Sequence, residues 1–313
     1  MRLKMKIGLV LAGGGVKGSA HIGAIEALEE NSIKISAVAG TSIGSIVGSL
    51  YAMGYTTEEM LKLFRYFSKG LLKADPKYLM NNIRSTKSIL GSGIISGQSI
   101  EDAIEECGNL KGIKNIKDIK MPIAIPTVDI KTGKEIVFTN RSIDKTQYVV
   151  KVPEKQAEEQ VKYVTVSSKE KEKYIDDIEI GKAVRASCSY PGLFSPMIYK
   201  EYKFVDGGVL DNVPVEEVKK LNVDKIITIK FPPRQAENPR SALNILSRSL
   251  DIIFDDRDTE KTRASDYIIN VDVTSSSTFD IKKIDECYKM GYEKTMSEME
   301  EIKKVLNPSS ASS

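Results

Sequence analysis

The chain has 313 residues, of which 41% are hydrophobic, and its 46 basic and 43 acidic side chains give a formal net charge of +3. This length is sufficient for one large hydrophobic core. The charges are spread along the sequence and form no basic arm, so nucleic-acid binding is not indicated. The three cysteines lie far apart without a CxxC pair, which argues against a zinc or redox site and predicts reduced thiols in a cytoplasmic protein.

Short runs rich in β-branched residues alternate along the chain with segments of helical periodicity. The predicted strands are Lys6–Leu11, Ile35–Ala39, Pro122–Asp129, Lys225–Lys230 and Tyr267–Val271. The predicted helices are Ser19–Asn31, Ile43–Met53, Thr57–Phe67, Ile100–Cys107, Val215–Leu221, Ala242–Phe254 and Ile284–Val305. This alternation predicts an α/β fold in which helices cover both faces of a mainly parallel sheet. Ligands of such sheets bind beyond the carboxyl ends of the strands.

We expect one domain over residues 1–306, carrying a charged insertion at about 141–173 and followed by a disordered tail at 307–313. The insertion is rich in Lys and Glu with few large apolar residues, and the tail is small and polar. The uncharged stretch Ile35–Thr57 is long enough to cross a bilayer. Its many Gly, Ser and Thr residues favour a buried strand followed by a buried helix instead.

A glycine-rich loop with the sequence GGGVKG, residues 13–18, follows the first predicted strand and begins a helix. It matches the GxGxxG pattern of dinucleotide sites, but the second strand ends without the acidic residue that such a site needs for the ribose. A P-loop does not fit either, because a serine follows the last glycine where that motif has a lysine. The remaining interpretation is an oxyanion hole formed by the backbone N–H groups of Gly13, Gly14 and Gly15.

The second predicted strand leads into the sequence GTSIG, residues 40–44. Gly40 and Gly44 flank Ser42 at a spacing that suits a sharp strand-to-helix turn exposing a nucleophile, because a Cβ at either glycine would collide with a neighbouring element. The alternative is an ordinary turn serine between packing glycines. The strand-turn-helix context and the nearby glycine loop favour the nucleophile.

Ser42 needs a proton acceptor, and His21 is the only histidine of the chain. In the α/β-hydrolase triad the histidine follows the nucleophile in chain order, and none follows Ser42. His21 could reach Ser42 from another direction, but a single histidine on a semi-apolar helix is more often structural, and we predict that role for it. The best carboxylate is Asp206, which precedes Gly207 and Gly208 between large apolar residues that would raise its pKa toward the range useful for proton transfer. A simple Asp-Gly turn between strands is the alternative.

In order and spacing, the three motifs resemble those of the patatin-like phospholipases, over roughly residues 5–220. Further agreement comes from residues on either side of Asp206, namely Ala186, Ser187, Pro191, Phe194, Pro196, Asn212 and Pro214. The resemblance implies a Ser42/Asp206 dyad without histidine and an oxyanion loop at Gly13 to Gly15. It also implies supporting roles for Lys17, Gly18, Gly40, Gly44, Gly207 and Gly208.

The resemblance implies lipid acyl-ester hydrolysis of the phospholipase A or lysophospholipase type, through an acyl-serine that water then cleaves. It requires no metal and no organic cofactor, and the expected partner is a phospholipid or another acyl ester. Two alternatives stay open: a non-catalytic lipid- or nucleotide-binding protein, and an acyltransferase on the same fold. The oligomeric state is not indicated.

A basic amphipathic pattern follows the predicted nucleophile helix. Apolar Met60, Phe64, Phe67 and Leu71 recur at helical spacing, with Lys62, Arg65, Lys69 and Lys73 between them. Such a helix can lie on an anionic membrane, although a helix packed on the core with its lysines in water is the commoner arrangement. We hypothesise that residues 60–72 line or cover the entrance for the acyl chain, in a cytoplasmic protein that binds membranes peripherally.

Overall fold

The computed structural model describes residues 5–71, 95–141, 173–232, 245, 248–249, 252–253, 261–273 and 283–307. Almost all of the predicted insertion and tail, and most of the predicted helix Ala242–Phe254, lie outside these residues. The strands are β1 Ile7–Leu11, β2 Ile35–Gly40, β3 Ile123–Asp129, β4 Lys134–Thr139, β5 Tyr174–Ile175, β6 Met197–Tyr199, β7 Tyr202–Asp206, β8 Lys225–Lys230 and β9 Tyr267–Asn270. The helices are α1 Ser19–Glu30, α2 Ile43–Ala52, α3 Thr57–Leu71, α4 Gln98–Leu110, α5 Ile180–Ser187, α6 Gly208–Asp211, α7 Val215–Lys219, α8 Ile284–Ser297 and α9 Met299–Leu306.

Within the described residues the strands form one sheet in the order β5-β4-β3-β2-β1-β8-β9, with β7 paired to β3 and β6 paired to β7. The pairs from β3 through β2, β1 and β8 to β9 are parallel, which confirms the predicted mainly parallel sheet. The pairs β3–β4, β3–β7 and β6–β7 are antiparallel. The sequence interpretation did not include strands β4 to β7.

The two faces of the sheet bury separate apolar clusters, because successive side chains of a strand point to opposite faces. Leu9 and Leu11 of β1 pack in the larger cluster with side chains of α1, α2 and α8. Val10 of the same strand packs in the smaller cluster with Val215 and Val218 of α7. Helices therefore cover both faces, as predicted.

Two predicted segments are divided in the structure. The uncharged stretch Ile35–Thr57 forms β2 and the buried helix α2, and it ends where α3 begins. In the part of the chain that is described, no helix has both the length and the apolarity to span a bilayer. The predicted helix Ile284–Val305 is two helices, because Glu298 leaves the helical conformation between α8 and α9.

The strand register brings the three sequence motifs to one edge of the sheet. Leu11 and Gly40, the last residues of β1 and β2, are direct partners in a parallel pair. Strand β3 runs parallel to β2, and its Thr127 pairs with Asp206 at the end of the antiparallel β7. The glycine loop, the GTSIG turn and Asp206 therefore meet beyond the carboxyl ends of the parallel strands.

Candidate active site

Ser42 occupies a strained turn between β2 and α2. Its backbone has φ 54° and ψ −123°, a conformation that non-glycine residues rarely adopt and that costs about 1–3 kcal/mol. This turn requires glycine on both sides of Ser42, because there is no space for a side chain there. A Cβ on Gly40 would overlap the Gly44 carbonyl group, and a Cβ on Gly44 would overlap the Leu11 carbonyl oxygen.

Hydrogen bonds from distant parts of the chain hold this turn. The backbone N–H of Ser42 donates to Ser187 Oγ at 3.0 Å, and Ser187 Oγ in turn donates to the Pro126 carbonyl oxygen at 2.7 Å. The Thr41 hydroxyl donates to the Asp211 carbonyl oxygen at 2.7 Å. Ser187 entered the sequence interpretation only through the family resemblance, and Thr41 had no assigned role.

The glycine loop lies directly against the serine. An added Cβ on Gly13 would lie 3.5 Å from Ser42 Cβ, and one on Gly18 would overlap Ile43 at the start of α2. The Gly13 N–H donates to the Asn212 carbonyl oxygen at 3.2 Å, whereas the N–H groups of Gly14 and Gly15 have no acceptor within the described residues.

Lys17, the loop's basic residue, is buried, with its ammonium 5.9 Å from the Phe231 ring centre. The same ring packs directly on the glycine loop. A Cβ added to Gly14 would lie 2.6 Å from Phe231 Cδ2, so only glycine fits under the ring. Lys17 thus belongs to the packing of the glycine loop.

Asp206 ends β7 as a fully buried carboxylate, with 1% of its surface exposed. Its Oδ1 accepts the Gly208 N–H at 2.8 Å, and Gly207 lets the turn pass so close to the Pro126 carbonyl that a Cβ would overlap it. Oδ2 completes no hydrogen bond within the described residues. Burial raises the pKa of Asp206 to about 7, against smaller lowering effects of the Gly208 N–H and of the Ser42 hydroxyl beside it.

His21 contacts the glycine loop rather than the serine turn. Its Nε2 bonds the Ala12 carbonyl oxygen at 2.9 Å, so this nitrogen carries the proton, and its ring packs 4.8 Å from the Phe231 ring. Burial lowers the pKa of His21 to about 4. His21 is therefore a neutral side chain at pH 7 that fixes the residue before Gly13.

Cys188 is a buried neighbour of Ser42 and Asp206 that the sequence interpretation did not connect with them. Its Sγ lies 3.9 Å from Ser45 Oγ, and Ser45 Oγ donates to the Ser42 carbonyl oxygen at 2.6 Å. Burial and the adjacent Asp206 raise the pKa of the Cys188 thiol to about 12. The thiol stays protonated at neutral pH and is not a competing nucleophile. A lone cysteine in an apolar stretch gives no signal from which this position could have been predicted.

Helix α3 packs its apolar stripe on the protein. Met60 and Phe64 are buried, and two basic residues of the other face pair with acids: Lys62 with Glu58 at 2.6 Å, and Arg65 with Asp285 at 2.7 Å. The side chains of Lys69 and Leu71, together with residues 72 and 73, lie outside the described part of the predicted segment. An apolar cavity lies where α3 meets α2 and α4. Its lining residues are Ile46, Leu50, Leu63, Phe64, Phe67, Ile100, Ala103, Ile104 and Cys107.

The arrangement can support general-base catalysis on a serine. A strained serine, a carboxylate with a pKa near neutral pH and two N–H groups without acceptors converge at one edge of the sheet. Among the described residues, no group of three or more His, Cys, Asp or Glu side chains is positioned to hold a metal ion.

Comparisons with family models and with known sequences point to the same family. The model of the family described as patatin-like phospholipase matches residues 9–219. An NTE family protein of Mycobacterium tuberculosis is 27% identical over 258 residues, which is 80% of this chain and 58% of the relative, so the chain spans little more than half the length of that protein. Lysophospholipase NTE1 of Meyerozyma guilliermondii is 30% identical over 226 residues, covering 71% of this chain and 12% of that protein.

A solved structure agrees with the fold. The crystal structure of VipD from Legionella pneumophila superimposes with a TM-score of 0.51 at 16% identity, covering 95% of this chain and 67% of that chain. At this identity the similarity concerns the α/β architecture alone.

Proposed function

The chain belongs to the patatin-like phospholipase family, and on that premise we propose that it is a serine acyl hydrolase in which Ser42 and Asp206 form a catalytic dyad. The observation that carries the proposal is the open Oδ2 of Asp206. This atom is buried and completes no hydrogen bond within the described residues, and the Ser42 hydroxyl lies close enough to the Asp206 carboxyl to lower its pKa. A carboxylate with one oxygen fixed by Gly208 and the other available is suited to accept the serine proton.

The chemistry follows from this placement. Ser42 Oγ attacks the ester carbonyl carbon while its proton passes to Asp206, and the alcohol leaves with that proton. Water then attacks the acyl-serine, giving its proton to Asp206, and the released serine takes that proton back. Since the Gly13 N–H already donates to Asn212, we assign the oxyanion to the N–H groups of Gly14 and Gly15.

The substrate class we propose is a phospholipid or lysophospholipid. One relative carries the name lysophospholipase. The apolar cavity where α3 meets α2 and α4 has a volume of about 30 Å³, close to that of one water molecule, so an acyl chain can enter there only if α3 moves away from α2. Leu63, Phe64 and Phe67 give α3 a share in this lining, which supports a role for that helix at the acyl chain.

Labelling with a fluorophosphonate probe tests the nucleophile, and a panel of phospholipids and lysophospholipids tests the substrate. Wild type should label and hydrolyse, whereas Ser42→Ala should do neither. Ser49→Ala is the matched control, because Ser49 is buried on the same helix and its hydroxyl has no partner within the described residues.

Three results would redirect the proposal. Wild type that neither labels nor hydrolyses any lipid would indicate a binding protein. Acylated products in the presence of glycerol or lysolipid acceptors would indicate acyl transfer. Labelling that persists in Ser42→Ala would place the nucleophile elsewhere.

A further inference from the structure

Two adjacent turns project beyond the carboxyl edge of the sheet, next to the dyad. One joins β3 to β4 and the other joins β6 to β7. Together they carry two isoleucines and four lysines, which we call the basic lip: Ile130, Lys131, Lys134, Ile198, Lys200 and Lys203. Lys203 is half-buried and the others are exposed, Ile130 by 54% and Ile198 by 72%.

The two isoleucines belong to one row of the sheet. Ile130 N–H donates to the Lys203 carbonyl oxygen at 2.9 Å, and Ile198 is the direct partner of Lys203 in the β6–β7 pair. Side chains in one cross-strand row point to the same face. The outer isoleucines are therefore two strand spacings apart, roughly 10 Å, with a lysine between them.

The lip is held rigidly. The Lys131 ammonium crosses from one turn to the other and donates to the Glu201 carbonyl oxygen at 2.7 Å. Buried Asp129 accepts the Lys203 N–H at 3.1 Å and the Thr132 hydroxyl at 2.8 Å, which fixes both turns to one carboxylate. An ordered surface loses less conformational entropy on binding than a flexible segment does, because its backbone is already fixed.

The position of the lip relative to Ser42 is set by the register. Three residues along β3 and β7 separate the Ile130–Lys203 row from the Thr127–Asp206 pair. At a rise of about 3.3 Å per residue this is about 10 Å. The dyad thus lies just behind the lip, on the same edge of the sheet.

The charge around the isoleucines is positive. Residues 129–135 and 198–203 hold four lysines and three acids, but Asp129 is buried and Glu135 pairs with Lys173 at 2.7 Å, so Glu201 is the acid that the lip exposes. Asp177, which lies close enough to Lys200 for a charge interaction, already pairs with Lys117 at 2.7 Å. Exposed aliphatic side chains with lysines between them suit the boundary between anionic headgroups and acyl chains.

We propose that the basic lip docks the protein on an anionic phospholipid surface, with Ile130 and Ile198 inserted among the lipids and the lysines on the headgroups. Amphipathic segments sink about 5–10 Å into this boundary. At that depth Ser42 lies at the level of the headgroups. The ester group of a lipid then has to rise by only part of the headgroup thickness to reach Ser42. The proposal deepens the proposed function, since it states the physical form in which the substrate reaches the site.

The test is flotation with vesicles, performed in the Ser42→Ala background so that lipid is not consumed. The probes are vesicles of phosphatidylcholine with phosphatidylglycerol, and vesicles of phosphatidylcholine alone. Binding should require phosphatidylglycerol and weaken at high salt. Lys131→Gln with Lys200→Gln should lower partitioning about 30-fold, at about 1 kcal/mol for each lysine near an anionic surface. Ile130→Ser with Ile198→Ser should lower it at least as much.

Matched controls exist for both changes. Leu110 is 74% exposed, and it lies at the end of α4, away from the sheet edge where that helix begins, so Leu110→Ser should leave partitioning unchanged. Lys62→Gln with Arg65→Gln on α3 removes as much charge and tests that helix as the rival surface. Lip variants that retain Ser42 should hydrolyse a soluble short-chain ester at the wild-type rate.

The proposal is overturned if lip variants partition like wild type, if the α3 pair lowers binding instead, or if the isoleucines mediate self-association in solution. A parallel loss on the soluble ester would also overturn it, because the changes would then act on the site. Failure of the proposed function looks different: vesicle binding would depend on the lip while wild type hydrolysed nothing.

Discussion

Asp206 and Asp211 flank the single turn α6, and both are buried, with 1% and 5% of their surfaces exposed. Burial raises the pKa of both carboxyls to about 7, and for Asp211 the nearby Glu135 adds to the rise while Lys261 opposes it. Their cationic neighbours differ: Asp211 Oδ1 pairs with the Lys261 ammonium at 2.6 Å, whereas no lysine or arginine among the described residues pairs with Asp206. We expect the two aspartates to differ in role accordingly, with Asp206 accepting a proton from Ser42 and Asp211 tying distant segments together through Lys261.

The Asp211 region is a network of buried charge. Lys261 also donates to the Leu210 carbonyl oxygen at 2.7 Å, and the Asp211 carbonyl oxygen accepts the Thr41 hydroxyl of the serine turn. Glu217 pairs with both Lys173 and Lys220, at 3.0 and 2.8 Å. In this region each strongly buried acid has a cation, so its role is to hold the turn that carries Asp206.

The largest effect that we expect is a difference in enzymatic activity between variants of Asp206 and Asp211. Asp206→Asn removes the proton acceptor while preserving an oxygen for the Gly208 N–H, and we expect kcat/KM on a soluble ester to fall about 10²–10⁴-fold. Asp211→Asn should keep most of the activity of the protein that remains folded, which is measured by the same assay alongside circular dichroism. If the two folded variants lost activity equally, Asp206 would have no catalytic role that Asp211 lacks.

The pH dependence of activity is the second test. Burial raises the pKa of Asp206 to about 7, and only its deprotonated form can accept the serine proton. We expect kcat/KM to level off above pH 7 and to fall about tenfold for each pH unit below it. An exposed aspartate, with a pKa of about 3.9, would give a flat profile between pH 5 and 8. A flat profile measured on a soluble ester would contradict the buried-base assignment.

Lys261→Met should act on stability instead. It leaves Asp211 buried without its cation, and because Lys261 is 33% exposed we expect a loss of about 2 kcal/mol at pH 8 rather than the larger cost of a fully buried pair. Burial and Glu135 hold the pKa of Asp211 at about 7 even with Lys261 in place, and removing Lys261 raises it further, so well below pH 7 the carboxyl is protonated in both folded proteins and the loss should disappear there. Urea unfolding at pH 8 and well below pH 7 measures this, and a loss independent of pH would show that packing alone is affected.

Local sequence patterns were sufficient to predict much of the fold and part of the site. The alternation of strands and helices predicted the parallel sheet, and strand ends followed by glycine-rich turns predicted which residues would meet at its edge. Strand β8 was predicted with the residues it has in the structure, Lys225–Lys230, because a continuous apolar run between polar turns is a strong signal. Motif spacing likewise placed Ser42 just after a strand, where the structure has it, whereas the strand that Asp206 ends, β7, was not predicted.

Pairings between distant segments could not be predicted in this way. The Gly13 N–H meets Asn212 and the Ser42 N–H meets Ser187, contacts that only the folded register creates. Strands β4 to β7 are two to six residues long, and their pairing is decided by tertiary contacts rather than by intrinsic propensity. The Asp-Gly dipeptide at 206 was ambiguous for the same reason: it precedes a helical turn instead of joining two hairpin strands.

The smallest effect on activity is expected for substitution of His21. A histidine is the residue one would test first as the base of a serine hydrolase. His21→Gln keeps a donor for the Ala12 carbonyl oxygen, so we expect only a few-fold loss of activity and a stability loss of about 1 kcal/mol. Because burial lowers the pKa of His21 to about 4, it stays neutral from pH 5 upward, and the midpoint of the pH profile near 7 should be unchanged in the variant. His21→Leu, which leaves the Ala12 carbonyl without this donor, should cost more stability than the Gln variant. If His21→Gln folds normally but loses activity as completely as Asp206→Asn, the proton acceptor is the imidazole and the contrast between the two aspartates has no catalytic meaning.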